Sequence, residues 1–241
     1  LNARGTPLTA ADLIKNFIFQ RLVEGDVDVE GAYERQWREF ETAFWEAEVS
    51  LGRLRYSRSS IFLNHWLIAA TGEETVAREV FSRFKRYVDH DASESIDQIL
   101  GRLQRSAAVY RAFIEASSTW NGPPSRTDLF AYRTATLENE VFKPVVLVLL
   151  DPDRPGVPPA QHEKTLTTIE SWLVRRSLLG LTGKNYNQIA GELTAKLLVA
   201  DRNKFGDVVE TFFREQTAES RYWPDDDEIR AGVSELPAYR R

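Results

Sequence analysis

Apolar side chains recur at helical spacing through five consecutive segments of the first half of the chain, and that period restricts what it can fold into. Leu13, Ile14, Phe17, Ile18 and Leu22 share one helical face. Thr9 precedes them and, with Asp12, has the spacing of a capping box whose acid is one methylene shorter than the usual Glu. Gly25 is expected to stop this helix. Tyr33, Trp37, Phe40 and Phe44 predict a second, aromatic-faced helix ending near Gly52. Ile61, Phe62, Trp66, Leu67 and Ala70 predict a third, up to Gly72. Val76, Val80, Phe81, Phe84 and Val88 mark the fourth, and Ile96 to Ile114 a long fifth.

The second half reads the same way between stronger breaks. Ser117 to Ser125, with Asn121-Gly122-Pro123-Pro124, is a loop and a candidate subdomain boundary. Leu129 to Phe142 is helical in pattern. Pro144 then interrupts the run Val145–Leu150, which reads as a buried strand or, better in this helical context, as a restarted helix. Residues 151–160 hold the densest proline in the chain and form the best linker candidate. Further helices follow on Leu166, Ile169, Trp172 and Leu173, on Ile189, Leu193 and Leu197, and on Val208, Val209, Phe212 and Phe213. Asp225-Asp226-Asp227-Glu228 after Pro224 predicts a last short helix with acids in its first turn. The expected class is all-α, an irregular multi-helix bundle of about nine or ten helices that admits two subdomains. The expected divisions are a leading segment 1–8, a helical subdomain 9–150, the linker 151–160 and a second helical subdomain 161–241.

Composition narrows the function classes. With 31 Lys+Arg against 36 Asp+Glu the formal charge is −5, and 42% of residues are hydrophobic. That balance excludes a disordered tail and a strongly basic nucleic-acid coat. Absence of cysteine removes thiolate zinc sites, disulfides and a cysteine nucleophile, and fits a cytoplasmic location. The most apolar run falls far short of the ~20 residues of a spanning helix, so no membrane partner is expected. Methionine is absent and the chain opens on Leu1, which reads as a piece of a longer protein.

Catalytic patterns are lacking in the sequence. It has no Gly-x-Ser-x-Gly elbow, no Walker loop and no dinucleotide fingerprint. His65, His90 and His162 are its three histidines, and Asp89-His90-Asp91 reads as a solvated helix end rather than a metal site, because sequence neighbours on a helix point apart. His65 reads as a histidine at a core edge. Carboxylate pairs such as Glu73-Glu74 and Glu138 with Glu140 read as solvated faces. Catalytic residues and metal ligands are therefore not expected. Arginine clusters stand out more: Arg53, Arg55 and Arg58; Arg83, Lys85 and Arg86; Arg102 and Arg105; Arg175 and Arg176. Clustered arginines can meet phosphates even on an acidic protein, although cations also suit helix C-termini.

The string Leu1-Asn2-Ala3-Arg4-Gly5-Thr6-Pro7-Leu8-Thr9, followed by Asp12-Leu13-Ile14-Lys15-Asn16, resembles a segment near the end of the ParB-like domain of GmrSD-type restriction endonucleases. The likeness continues in order through Phe62–Trp66, Phe81–Lys85, Ile169–Arg176 and Lys184–Asn187. Members of that family join a nucleotide-hydrolysing domain, a helical region and an HNH nuclease domain, and cut foreign, often modified, DNA. The resemblance implies that this chain is the helical middle, since the upstream Asp-Gly-Gln-Gln-Arg motif and the histidine nuclease motif are not in it. It implies cofactor contact at Asn2 and Gly5, in a turn feeding a helix N-terminus where backbone amides can meet a phosphate. Arg175 and Arg176 are the candidates for nucleic-acid or interdomain contact. A nucleoside triphosphate and a divalent metal are implied for the parent, with no cofactor in this segment. The implied partners are the flanking nucleotide and nuclease domains, with duplex DNA as a further one, and a homo-oligomer is allowed. The alternative is a free-standing helical module that binds protein through its aromatic residues.

Overall fold

Thr9 starts the first helix as its spacing predicts. Its hydroxyl accepts from the Asp12 amide while the Asp12 carboxylate accepts from the Thr9 amide at 2.8 Å, which closes the capping box. The computed structural model describes residues 8–51 and 54–235. The fold is mainly helical: twelve α-helices and one two-stranded sheet among the described residues. The count exceeds the sequence expectation because two of the helices are single turns. The chain divides into two compact units, Leu1–Tyr110 and Arg111–Arg241.

In the first unit, α1 (Ala10–Glu24) buries Ile14, Phe17, Ile18 and Leu22. The expected aromatic helix is instead a chain of short turns: α2 (Val29–Ala32), a π turn (Tyr33–Trp37), a 3₁₀ turn (Arg38–Glu41) and α3 (Ala43–Glu46). Thr42 is extended there and Ala47, at φ −53° and ψ 131°, is also outside the helical region, so each interrupts the helical path. The chain then pairs β1 (Glu48–Leu51) antiparallel with β2 (Leu54–Ser57), Glu48 opposite Ser57. Val49 and Tyr56 face one another across that ribbon, a pairing of residue types suited to strands that a helix-period reading overlooks. Of the four expected aromatics Trp37 and Phe40 are buried and Tyr33 and Phe44 only half-buried, while Trp45, outside that spacing, is 0% exposed: Phe40 stacks on Phe62 at 5.7 Å, and Trp45 on Tyr110 at 5.9 Å. Next, α4 (Arg58–Thr71) ends at Gly72, whose φ of 71° is the left-handed conformation in which glycine carries no Cβ penalty. A 3₁₀ turn leads into α5 (Val80–Arg86), and a π turn (Tyr87–Asp91) follows. The long helix α6 (Ile96–Ala116) supplies Ile99, Leu100, Leu103 and Tyr110 to this core.

The second unit begins inside α6 and contains α7 (Arg126–Thr136), α8 (Lys143–Leu149), α9 (Pro159–Leu178), α10 (Tyr186–Val199), α11 (Phe205–Arg214) and α12 (Asp226–Glu235). The expected helix Leu129–Phe142 stops at Thr136, and Glu138 takes φ 52° in the turn beyond it. The valine-rich run is helical, with Pro144 in the first turn of α8, where a missing N–H costs nothing. Every residue of α8 is buried.

The proline-rich stretch 151–160 does not separate the two units. Helix α8 before it packs against α10 beyond it, and Arg202 donates to the Val148 and Leu149 carbonyls at 3.0 Å each. The units divide at residues 110/111 instead, within a continuous helix that carries no breaker residue there. The core of the second unit gathers Phe142, Trp172 and Phe213, with Trp172 and Phe213 ring centres 4.9 Å apart.

Candidate functional site

Arg175 and Arg176 lie in the last turn of α9, where cations complement the helix C-terminus. Adjacent positions on a helix diverge by about 100°, and the two side chains have different fates. Arg176 is 0% exposed. Its Nε donates to the Tyr186 hydroxyl at 3.2 Å and Nη2 to the Thr182 carbonyl at 3.0 Å. Nη1 donates to the Tyr222 and Glu219 carbonyls at 2.8 and 3.3 Å. Trp172, Tyr186 and Tyr222 set their rings around the guanidinium at 5.1, 5.7 and 5.7 Å. Arg176 is thus a tie inside its own unit, holding the segment before α12 to α9. The expectation of nucleic-acid or interdomain contact is corrected for this residue, because a fully enclosed guanidinium with its donors taken reaches nothing outside.

The tie has company. Trp172 Nε1 donates to the Arg221 carbonyl at 2.9 Å and Asn185 Nδ2 to Ser220 Oγ at 2.9 Å. A carbonyl that no helix satisfies is met in this way by a side chain from α9, and a hydroxyl beside it by the residue preceding α10.

Arg175 points the other way, into an open cleft of about 820 Å³. The cleft lies between the end of α11 and the first turn of α12, walled by Phe213, Arg214 and Trp223 and rimmed by Asp225, Asp226 and Asp227. Arg175 Nε donates to Ser171 Oγ at 3.1 Å, Nη1 to the Pro224 carbonyl at 3.0 Å, and Nη2 to the Asp226 carboxylate. That guanidinium holds the Asp226 carboxyl below the usual carboxylate range. To reach a DNA phosphate, Arg175 would have to release Asp226. Arg214 donates to Glu210 at 2.6 Å and lies 5.6 Å from the Trp223 ring centre. Asp225 caps α12, accepting from the Asp227 and Glu228 amides at 3.0 and 2.9 Å, while Glu228 accepts from the Asp225 amide. The helix N-terminus therefore has its anion already.

Asn2 and Gly5 lie outside the described residues, as does Arg53. In the other arginine clusters, five members are met by carboxylates or carbonyls of their own unit. Arg55 faces Glu48 at 3.4 Å, Arg83 and Arg86 share Glu73, and Arg58 donates to the Phe44 carbonyl at 2.6 Å. Arg102 pairs with Glu94 at 2.9 Å. Within Asp89-His90-Asp91, Asp89 pairs with Arg21 and Asp91 with Arg86. No group of three His, Asp or Glu side chains among the described residues is placed to hold a metal ion. His65 is buried, its Nδ1 3.4 Å from the Tyr110 hydroxyl. His162 is half-buried with Nε2 3.2 Å from Thr127 Oγ1, and burial first, then the nearby Arg126 charge, lowers its pKa.

The cleft itself went unread in the sequence. Trp223 and Asp225–Asp227 register there as a helix start, and nothing local shows that Phe213 and Arg175 stand opposite them. No helix among the described residues is long and apolar enough to cross a membrane. Compared with family models, with curated proteins and with solved structures, the chain matches none.

Proposed function

We propose that the chain is a non-catalytic helical module of a GmrSD-like, nucleotide-dependent, modification-sensing DNA restriction endonuclease acting in the cytoplasm against foreign DNA. Its work is to couple the nucleotide domain to the nuclease domain. The carrying observation is the Leu1–Asn16 string, whose described part is the capped start of α1. The capping box fixes the direction in which the chain enters α1, and Ile14, Phe17, Ile18 and Leu22 bury that helix in the first unit. A displacement at the motif would therefore be passed into packed structure, which is what coupling between sites needs. The nucleoside triphosphate and divalent metal belong to the flanking domains. Arg175 is the remaining candidate for nucleic-acid or interdomain contact, and either would have to compete with Asp226.

Two experiments test this. The genomic reading frame on either side of Leu1 and Arg241 should run on into an Asp-Gly-Gln-Gln-Arg motif upstream and a histidine nuclease motif downstream. Stop codons close to both ends would refute the reading and leave a free-standing interaction module. In the full-length product, Thr9→Ala with Asp12→Ala should preserve nucleotide hydrolysis and reduce DNA cleavage. Unchanged cleavage would refute coupling through α1.

A further inference from the structure

Two exposed surfaces of the second unit are complementary in kind, one aromatic and one built of proline. Trp120, just past the end of α6, and Tyr132 on α7 meet edge to face, with ring centres 5.5 Å apart and planes at 73°. They are 40% and 47% exposed, whereas Trp45 and Trp172 are 0% exposed. Trp120 Nε1 donates to the Ala116 carbonyl at 2.7 Å, which pins the indole against the end of α6. A pinned Trp–Tyr pair offers a large contact area and loses little side-chain freedom when something covers it.

The second surface is the proline-rich segment 151–159. Pro155 and Pro158 stand three residues apart, one turn of a polyproline II helix, with Pro152 three residues before them. From Pro155 to Pro158 the chain is neither helix nor strand, and Pro158 enters α9 at φ −53° and ψ 141°, close to the polyproline II conformation. Pro152, Pro155 and Gly156 are exposed, and a Cβ on Gly156 would meet nothing within 4 Å. Arg154 Nη1 lies 3.5 Å from the Leu198 carbonyl, which brings the segment to the end of α10. The next residue there, Val199, is 87% exposed, the most of any large apolar residue described. A proline segment has little conformational freedom left to lose, and aromatic-lined surfaces are what recognise it.

We propose that a second copy of this chain lays its 151–159 segment on the Trp120–Tyr132 pair, so that the chain self-associates through an aromatic–proline contact. Each copy carries both halves, and two copies can therefore make the contact twice about a two-fold axis. The segment does not serve its own chain in this way: it is held between α8, which packs on α10, and the start of α9, and its prolines are exposed there. The inference goes beyond the endonuclease reading and stands or falls separately from it, since it uses only the second unit and that reading is tested at α1.

The test joins two measurements on the whole chain. Sedimentation velocity from about 10 µM to about 1 mM, the range suited to a small interface, should show reversible dimerisation. Fluorescence anisotropy should show binding of a labelled Asp-Pro-Asp-Arg-Pro-Gly-Val-Pro-Pro peptide, the sequence of residues 151–159. Pro155→Ala with Pro158→Ala in that peptide, where folding is not at issue, should weaken binding about tenfold, and Trp120→Ala in the chain should do the same. Tyr132→Ala is the second variant of the aromatic pair. Both chain variants should also lower dimerisation, with far-UV circular dichroism as the check on folding. A chain that stays monomeric and binds no peptide overturns the proposal, as does peptide binding that the Ala-substituted peptide matches. Dimerisation that Trp120→Ala and Tyr132→Ala both leave intact overturns the assignment of the surface. Peptide binding without dimerisation overturns the second copy as occupant and leaves a foreign proline-rich partner.

Discussion

Replacing Arg176 by Met removes four hydrogen bonds while keeping a side chain of similar reach. Three of the lost acceptors are backbone carbonyls, of Thr182, Glu219 and Tyr222, in a setting where the arginine is 0% exposed. A typical intramolecular hydrogen bond contributes about 0.5–1.5 kcal/mol net, so the three come to about 3 kcal/mol. Loss of the cation from between Trp172, Tyr186 and Tyr222 adds up to ~2 kcal/mol. The opposing effect is release of a guanidinium from a buried place with no carboxylate in its hydrogen bonds, and burial of an ion carries a penalty of several kcal/mol. The planar fork, whose donors converge on fixed carbonyls, tips this balance toward wild type, and we expect Arg176→Met to lose roughly 3 kcal/mol net. Arg176→Lys keeps the charge but not the fork, and should lose about half as much. The assay is equilibrium urea unfolding at pH 7 followed by tryptophan fluorescence and circular dichroism. Arg175→Ala serves as the control and should lose less than ~1 kcal/mol, since its ion pair is partly open to solvent. An Arg176→Met protein as stable as wild type, or more so, would show that desolvation outweighs the four bonds, and the tie would then be no source of stability.

Other outcomes follow from packing and titration. At Gly206 a Cβ would lie 2.6 Å from Lys164 Cβ and 2.8 Å from the Gln161 carbonyl, so Gly206→Ala should cost about 1–3 kcal/mol by forcing α9 and α11 apart. Gly156→Ala, with nothing within 4 Å of the new methyl, should leave the urea midpoint nearly unchanged, and equal effects of the two would refute the close approach. Burial and Arg126 lower the His162 pKa in the folded chain, with Glu163 pulling the other way, so the unfolded chain takes up a proton first, near its ordinary value of 6.5. The stability that this histidine contributes is therefore present above pH 6.5 and lost progressively as pH falls from there through the lowered folded-state value. His162→Gln should shrink the drop in urea midpoint between pH 7.5 and 5.5, and an unchanged drop would refute the linkage. Asp207, Glu210 and Asp226, whose pKa values are also lowered, titrate from their ordinary 3.8–4.5 downward, below that window.

By itself the sequence determined the parts whose bonds are short-range. The Thr9–Asp12 box, the stop at Gly72, the start of α8 at Pro144 and the acid-rich first turn of α12 all depend on residues within about four positions of one another, and each is legible for that reason. The period of the apolar residues also named much of the core; from Tyr33 to Phe44, where the backbone abandoned a regular helix, it found Trp37 and Phe40 but missed Trp45. Tertiary structure decided the rest. The ribbon of β1 and β2 is too short for its alternation to stand out from the helical period around it, and its pairing exists only between the two strands. The boundary between the two units falls inside α6, because a helix can serve two cores in succession without any change in its local bonding. Arg175 and Arg176 are equivalent in sequence. The partners that make one a cleft residue and the other a buried tie are Pro224, Asp226, Glu219 and Tyr222, more than 40 positions downstream. Helical spacing sets the direction in which each side chain leaves α9, and only the folded chain determines what it meets there.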